Sequence, residues 1–594
     1  MIEEIKDRLK KIRSFMRSNN IQAFIVPSTD PHSGEYIAQH WEGRKWISGF
    51  TGSAGVVVIT LDSAGLWTDS RYFIQAEEQL KGTSIKLFKE RISNTPSIPE
   101  WLISELKSGD RVGIDPWTNS ISDIQDINDL LSVKGLSLIF TDDPFDSIWS
   151  DRPSIPQNKA FIHDIKYAGI SAKDKIATVR SYIEEKGKDT LVISALDEVC
   201  WMLNLRGDDV HCNPVFISYL IIDSESATLY IDDNKVDDEV KTYLFSQGVN
   251  ISPYPTIKED LLKIVSMNLK VQVPSAINGG IFDLVKKNAT ICPSPILLMK
   301  AMKNEVEIEG FHNAMLRDGV AMVKLLKWIK EAVKSGNESE LSVTRKAYQL
   351  RSEQAKFVGE SFDTIAGYKD NAAIVHYEAD EESNKSLNAE GMLLLDSGGQ
   401  YLDGTTDITR TIILGEISQE ERRDYTLVLK GMINLSMAEF PSGTSGTQLD
   451  AFARIAMWKH GINYMHGTGH GVGHFLNVHE GPHQIRMNYV PTVLVPGMTV
   501  TNEPGIYKAG RHGVRIENTM LIVKSQSTEF GDFYKLEPLT LCPIDREGID
   551  IEMLNEEELG YLNRYHSYVY SKLSPLLSEE EKEWLKKETA QIGK

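Results

Sequence analysis

Cysteine is scarce in this 594-residue chain. Its four residues, Cys200, Cys212, Cys292 and Cys542, lie far apart and form neither a CxxC pair nor a zinc-ribbon spacing. That spacing speaks against a disulfide framework and a thiolate zinc site, and free or buried thiols in a reducing compartment are expected. Positive charge is also in deficit, with 64 Lys and Arg against 84 Asp and Glu and a formal charge of −20. This balance disfavours nonspecific binding to nucleic acid or to an anionic membrane, so neither is expected as a partner. No run is long and apolar enough to span a bilayer. Between Met1 and Asn20 the apolar Ile2, Ile5, Leu9, Ile12 and Phe15 are separated by charges, which predicts an amphipathic helix rather than a signal peptide. A cytoplasmic location is the resulting expectation. The chain also has no Walker loop, no kinase signature and no GxGxxG loop, and GFTGSAG does not place Ser53 in a GxSxG elbow. Phosphoryl transfer, nicotinamide or flavin redox chemistry and a serine-elbow hydrolase therefore lack sequence support.

The length exceeds what one hydrophobic core organises, and a composition of 41% hydrophobic and 25% charged residues is that of a globular protein. IQAFIVPS, VVVIT, GLWTD and IKLF read as strands, with turns and helix around RKWISGF and a helix at RYFIQAEEQL. The order repeats loosely after the proline-containing stretch 151–157. There a helix over 173–183, the strand TLVISA, the helix EVCWMLNLRG and a hairpin of VFISYLIID with ATLYID follow one another. This predicts two related α/β domains, 1–156 and 157–300, followed by a third, 301–594. The third has a long amphipathic helix over 305–330, another at LDAFARIAMWKH stopped by Gly461, and a folded extension with a helix start at Ser578. Asp30, His32, His40 and Arg71, polar residues near turns in the first domain, are expected to serve local structure.

Chemistry concentrates between His376 and Glu517. In GMLLLDSGGQYLDGTTDITRTIIL, Asp396 and Asp407 are equidistant from a point between Tyr401 and Leu402, beside the turn signal Asp403-Gly404. In NEPGIYKAGRHGVRIEN, Glu503 and Glu517 are equidistant from Gly510. Two hairpins with those turns would each set two carboxylates across from one another on neighbouring strands. Carboxylates so close repel, the more so when buried, unless protons or cations intervene. Six of the fourteen histidines fall between His460 and His483. Glycines at 467, 469, 471 and 473 break any continuous helix there, so His466 and His470 are not paired ligands on a helix; the glycines instead allow backbone and substrate to approach closely. Asp396, Asp407, His470, Glu503 and Glu517 make a donor set of four carboxylates and one imidazole. It suits two divalent ions, manganese first, with cobalt, iron or zinc able to occupy similar sites. Two adjacent cations ready water at neutral pH and neutralise charge developing on a carbonyl oxygen, so hydrolysis is the expected chemistry.

Together these motifs resemble those of aminopeptidase P, the Xaa-Pro aminopeptidases, of the three-domain cytosolic type. FVGESFDTIAGYKDNAAIVHY, DSGGQYLDGTTDITRT, HGTGHGVGHFLNVHEGP, TNEPGIY and GVRIEN match its catalytic blocks. The likeness runs from PSTDPHSGEYIA and GFTGSAG to the terminal WLKKET, nearly the whole chain. It implies two creatinase-like α/β domains followed by an α+β catalytic domain of the pita-bread fold with a C-terminal extension. The curved antiparallel sheet of that fold would hold a dinuclear, usually manganese, centre. Asp407 and Glu517 would bridge the ions, His470 and Glu503 would complete one shell, and Asp396 would bind the other ion.

The reaction implied is removal of the first residue from a peptide with a free N-terminus and proline second. His376, His466 and His479 match noncoordinating active-site histidines: His376 and His479 would steady substrate carbonyls and the oxyanion, and His466 would shape the pocket. Glu503 is the expected proton acceptor. Arg515 is expected to orient carboxylates near Glu517, and Tyr377 and His474 to lie around the site. A homodimer through the catalytic region is implied too. Met315, where related long helices often carry a histidine, and Lys369 in GYKDN depart from the family pattern without removing a ligand. A prolidase-type Xaa-Pro dipeptidase uses similar metals but does not account for the long N-terminal section and the tail, and the same holds for a methionine aminopeptidase. A noncatalytic peptide-binding or chaperone protein on this scaffold would not need five ligands and three flanking histidines together.

Overall fold

The computed structural model describes residues 2–593. The chain divides into two compact units, residues 2–163 with 170–296 and residues 164–169 with 297–593. In the first, the charged-apolar pattern at the start folds as the helix Ile2–Ser18, with Ile5, Leu9, Ile12 and Met16 on its buried side. The four strand signals become β1 (Ala23–Val26), β2 (Val56–Thr60), β3 (Ala64–Thr68) and β4 (Lys86–Lys89), and two strands not read from the sequence, β5 (Arg111–Ile114) and β6 (Ser137–Phe140), complete one sheet ordered β4-β3-β2-β1-β5-β6. A second sheet is built from β7 (Thr190–Ile193), β8 (Tyr219–Asp223), β9 (Ala227–Ile231), β10 (Asn250–Pro253), β11 (Val271–Val273) and β12 (Ala289–Ile291), ordered β10-β9-β8-β7-β11-β12.

The second order repeats the first strand for strand, and the pair directions match as well. β1–β2 and β2–β3 are antiparallel, like β7–β8 and β8–β9; the remaining pairs in both sheets are parallel. The loose internal repeat of the sequence is a repeat of topology. The two sheets share a buried apolar cluster in which Trp67, Trp101 and Ile124 pack with Tyr230, Ile257 and Ile281. Of the polar residues near turns, Asp30 binds locally, its Oδ1 accepting from the backbone N–H of His32 and of Gly34, whereas His32 Nδ1 lies 2.8 Å from the Ser194 carbonyl and His40 Nδ1 2.7 Å from the Pro153 carbonyl, both distant along the chain.

The second unit places strands of the site among helices. Its long helix, Glu305–Ala332, is opened by a capping box of Asn304 and Glu307. Met315, the departure from the family pattern, is a core residue packed with Phe311, Val472, Leu521 and Leu539. Lys369 sits at φ 54° and pairs with Glu390 on the surface. The C-terminal helices Glu556–Leu573 and Glu579–Glu588 each begin with a capping box, and Leu562, Tyr565, Val569 and Leu573 bury against Leu429, Met432 and Ile433. Among the described residues no helix is long and apolar enough to cross a membrane.

Candidate metal centre

The segment 365–413 forms β13 (Ile365–Tyr368), β14 (Met392–Ser397), β15 (Gly399–Tyr401), β16 (Gly404–Thr405) and β17 (Ile408–Ile413), with β14 between β13 and β17. Every residue of β14 and β17 is buried, the apolar Met392–Leu395 run of β14 as well as Thr409, Arg410 and Thr411 of β17. Asp396 faces Thr409, not Asp407. The hairpin turns at Leu402-Asp403 rather than between Tyr401 and Leu402, since Ser397 faces Ile408 and Tyr401 faces Gly404, while β15 also pairs with the strand Phe357–Glu360. Asp407 therefore stands two residues before the partner of Asp396, and the two carboxylates are diagonal rather than opposite.

His470 is the middle residue of β18 (Gly469–Gly471), paired with β19 (Glu480–Ile485). Gly469 has to be glycine, since a Cβ there would run into the Thr501 carbonyl. Nδ1 of His470 lies 2.8 Å from the Gly471 carbonyl, which can only accept, so Nδ1 carries the proton and Nε2 presents its lone pair. Nε2 is 3.5 Å from Asp407 Oδ2 and 3.5 Å from Glu503 Oε1. The His479 ring stands edge-on to that of His470, with centroids 4.3 Å apart. The residue after it, Glu480, is clasped by Lys300 Nζ at 2.6 Å and by Lys303, all three buried. Nothing in the local pattern of MKAMKNE pointed to that clasp.

The glutamates lie at strand junctions. β20 (Thr499–Asn502) pairs with β23 (Asn518–Thr528), and β21 (Gly505–Lys508) with β22 (His512–Arg515). Asn502 faces Asn518 and Gly505 faces Arg515, a register centred on Gly510, whose φ of 69° suits the turn. Glu503 and Glu517 thus occupy facing junctions. Thr409 Oγ1 donates to Glu517 Oε2 at 2.8 Å.

These elements bring ligand atoms of Asp407, His470 and Glu517 within 4.8 Å of one another. Asp396 Oδ1 and Glu517 Oε1 are buried without a hydrogen-bond partner among the described residues, which is costly unless a cation or proton meets them. The donor set therefore fits hard divalent cations. The carboxylate that Arg515 orients is Asp396: Arg515 Nη2 and Nε lie 2.6 and 3.2 Å from Asp396 Oδ2. The register of β22 aims the guanidinium there, with Nη1 donating to the Tyr507 hydroxyl at 2.7 Å. That hydroxyl is 2.9 Å from His466 Nε2, and His466 Nδ1 is 2.7 Å from the Gly467 carbonyl. Tyr507, unnoticed in the sequence, thereby links His466 to Arg515. His376, half-buried, follows Val375, whose carbonyl accepts from Arg515 Nη2 at 3.2 Å.

Other polar residues hold the scaffold. The Tyr377 hydroxyl donates to buried Glu340, which also accepts from the backbone of Tyr368 and Lys385. His474 is buried with its ring edge-on to Phe311. His483 Nε2 lies 2.7 Å from the Thr499 carbonyl, and burial pulls this histidine down to about 4.

Burial, then the charges of Glu517 and Asp396, push Asp407 well above the usual carboxylate range. Burial and Glu517 do the same to Glu503, and burial and Asp396 raise Glu517 to about 8. Acids with raised folded values hold protons more tightly folded than unfolded. Their protonated forms therefore stabilise the chain below the unfolded value of 4.5, and that contribution is lost as pH climbs to about 8. Chelator-treated protein is expected to lose on the order of a few kcal/mol of stability across that window, and saturating divalent metal to remove most of the slope. Scanning calorimetry with and without chelator checks this; equal slopes in both would contradict it.

The sequence matches the models for metallopeptidase family M24 over residues 309–524, for a creatinase/prolidase N-terminal domain over 8–146 and again, as a second such model, over 151–307, and for the C-terminal region of peptidase M24 over 532–592. It is 42% identical over 604 residues to the probable Xaa-Pro aminopeptidase P of Laccaria bicolor, covering 99% of this chain and 93% of that protein. The chain belongs to the aminopeptidase P family. The structure of an X-prolyl aminopeptidase from Caenorhabditis elegans, described as a cytosolic enzyme with a di-nuclear active site, is 34% identical, covers 99% of this chain and 100% of that one, and superposes with a TM-score of 0.96. An Xaa-Pro dipeptidase from Bacillus anthracis is 25% identical and covers 63% of this chain and 99% of that one, with a TM-score of 0.51. The chain thus has two creatinase-like α/β domains and a pita-bread metallopeptidase domain with a C-terminal extension.

Proposed function

We propose that this protein releases the first residue from peptides with a free N-terminus and proline in second position, using two divalent metal ions. The observation that carries the reading is the end-to-end likeness to an X-prolyl aminopeptidase, where a dipeptidase matches only 63% of the chain. In this proposal Asp396, Asp407, His470, Glu503 and Glu517 would hold the two ions. Manganese is the proposed metal on the strength of four carboxylates and one imidazole; cobalt, iron and zinc are the alternatives. When bound, the metal pair supplies a water nucleophile at neutral pH and Lewis-acid stabilisation of charge on the substrate carbonyl.

The protein groups do the rest. Arg515 fixes Asp396 beside the position proposed for the free amine, a charge that an internal peptide bond does not offer. Glu503 accepts the proton that the attacking water gives up. His376 and His479 donate hydrogen bonds to substrate carbonyl oxygens as negative charge grows on them, and His466, steadied by Tyr507, shapes the pocket. The proposal extends to a homodimer, to a cytosolic location, which the description of the Caenorhabditis elegans enzyme supports, and to domain limits at 156/157 and 300/301, near the edges of the matched family models.

The metal-loaded protein is expected to free Arg from Arg-Pro-Pro and to lose that activity on chelation. Cleavage of Gly-Pro alone would reassign it as a prolidase-type dipeptidase, and cleavage of a Met-Ala peptide alone as a methionine aminopeptidase. Fully metallated, folded protein that cleaves none of them would favour the noncatalytic peptide-binding reading.

A further inference from the structure

The matched C-terminal region, 532–592, supplies none of the metal-site residues, yet it reaches the back of the site through one buried arginine. Along β17, Thr409 and Thr411 face the centre, contacting Glu517 and the Arg515 backbone. Arg410 between them points the other way, into the apolar layer of Ile408 and Ile412. A guanidinium there must have its N–H groups matched. Nε donates to the Pro543 carbonyl at 3.0 Å, and Nη1 to the carbonyls of Thr409 at 2.9 Å and Glu517 at 2.5 Å. Nη2 donates to Asn518 Oδ1 at 2.8 Å, the Cys542 carbonyl at 2.9 Å and the Tyr565 hydroxyl at 3.0 Å.

Each of these acceptors is neutral, so the group is held by geometry rather than by an ion pair, with the charge of Glu517 favouring it through space. Apart from the carbonyl of Thr409 on its own strand, the acceptors fall into two sets. Cys542, Pro543 and Tyr565 belong to the C-terminal region, whereas Glu517 and Asn518 form the junction that presents a site carboxylate. The Tyr565 hydroxyl, on the helix Glu556–Leu573, also lies 3.2 Å from Asn518 Oδ1 and 3.0 Å from the Thr540 carbonyl.

We propose that the C-terminal region braces the metal centre: Tyr565 and Arg410 fix the backbone at Glu517 and so set how tightly that carboxylate holds metal. Both are positioning residues, touching neither substrate nor the ligand oxygens. The inference rests on the metal-centre reading above.

Calorimetric titration of Mn2+ into the chelator-stripped full chain, well below its Tm, tests it. Tyr565→Phe and Arg410→Lys are expected to weaken Mn2+ binding about tenfold, in the range for lost outer-shell support. Their kcat should recover at saturating Mn2+, with KM for Arg-Pro-Pro unchanged. Val569→Ala, a cavity in the same helix that leaves Arg410 untouched, should lower Tm at least as much while keeping the parental Mn2+ affinity. Parental Mn2+ affinity in Tyr565→Phe overturns the proposal, as does an equal loss in Val569→Ala, which would mean general loosening. Should Arg410→Lys fail to fold, Tyr565→Phe decides alone. Absence of Mn2+ binding in the parent would overturn the metal-centre reading first.

Discussion

Asp407→Asn should reduce both metal occupancy and turnover by at least about 100-fold, since even outer-shell partners of a metal are worth 10–100-fold. Asn keeps the shape of the side chain and its backbone contact with Thr519 but removes the charge at the crowded end of β17. Glu517→Gln should behave alike, because its Oε1 has no hydrogen-bond partner among the described residues to take over the role of a cation. The same substitutions have the opposite effect on the metal-free protein. Each deletes one of the mutually repelling acids, so at pH 8 the chelator-treated variants should melt higher than the chelator-treated parent. Metal analysis, calorimetry and peptide hydrolysis on the same samples separate the two effects. Variants that retain parental metal and turnover would remove Asp407 and Glu517 from the centre.

His479→Ala is expected to lower kcat about 100-fold, roughly 2.7 kcal/mol of transition-state stabilisation, while most of the metal stays. The retention follows from geometry. His470 is aimed by its own Nδ1–H to the Gly471 carbonyl and by its backbone N–H to Thr501 Oγ1, neither of which involves His479. The clasp of Lys300 and Lys303 on Glu480 keeps the strand in place when the ring is gone. What disappears is a hydrogen bond that strengthens as the carbonyl oxygen becomes negative, so kcat should fall more than KM changes. Parental kcat would refute the role, and a parallel loss of metal would move His479 into the ligand set.

The two hairpins show how far local pattern reaches. The acids about Gly510 face each other because one turn with a left-handed glycine sets a register that continues through both strand pairs. The acids about Tyr401 and Leu402 also flank a single turn, but it lies one residue further on, at Leu402-Asp403, so the register carries Asp396 to Thr409 and leaves Asp407 diagonal. Likewise Arg515 stood near Glu517 in sequence and pairs with Asp396 in space.

The sequence by itself determined the kind of chemistry and the repeating α/β plan. Carboxylate and imidazole donors, apolar periodicity and turn glycines are properties of residue type at short separation, where the chain's own geometry leaves few options. Only the tertiary structure decided which acid Arg515 holds, that Tyr507 joins it to His466, that two lysines clasp Glu480, and that Arg410 ties Tyr565 to the Glu517 backbone. Those partners lie across sheet and helix packing, where burial makes an unmatched polar group costly and the match is selected by proximity in space rather than along the chain.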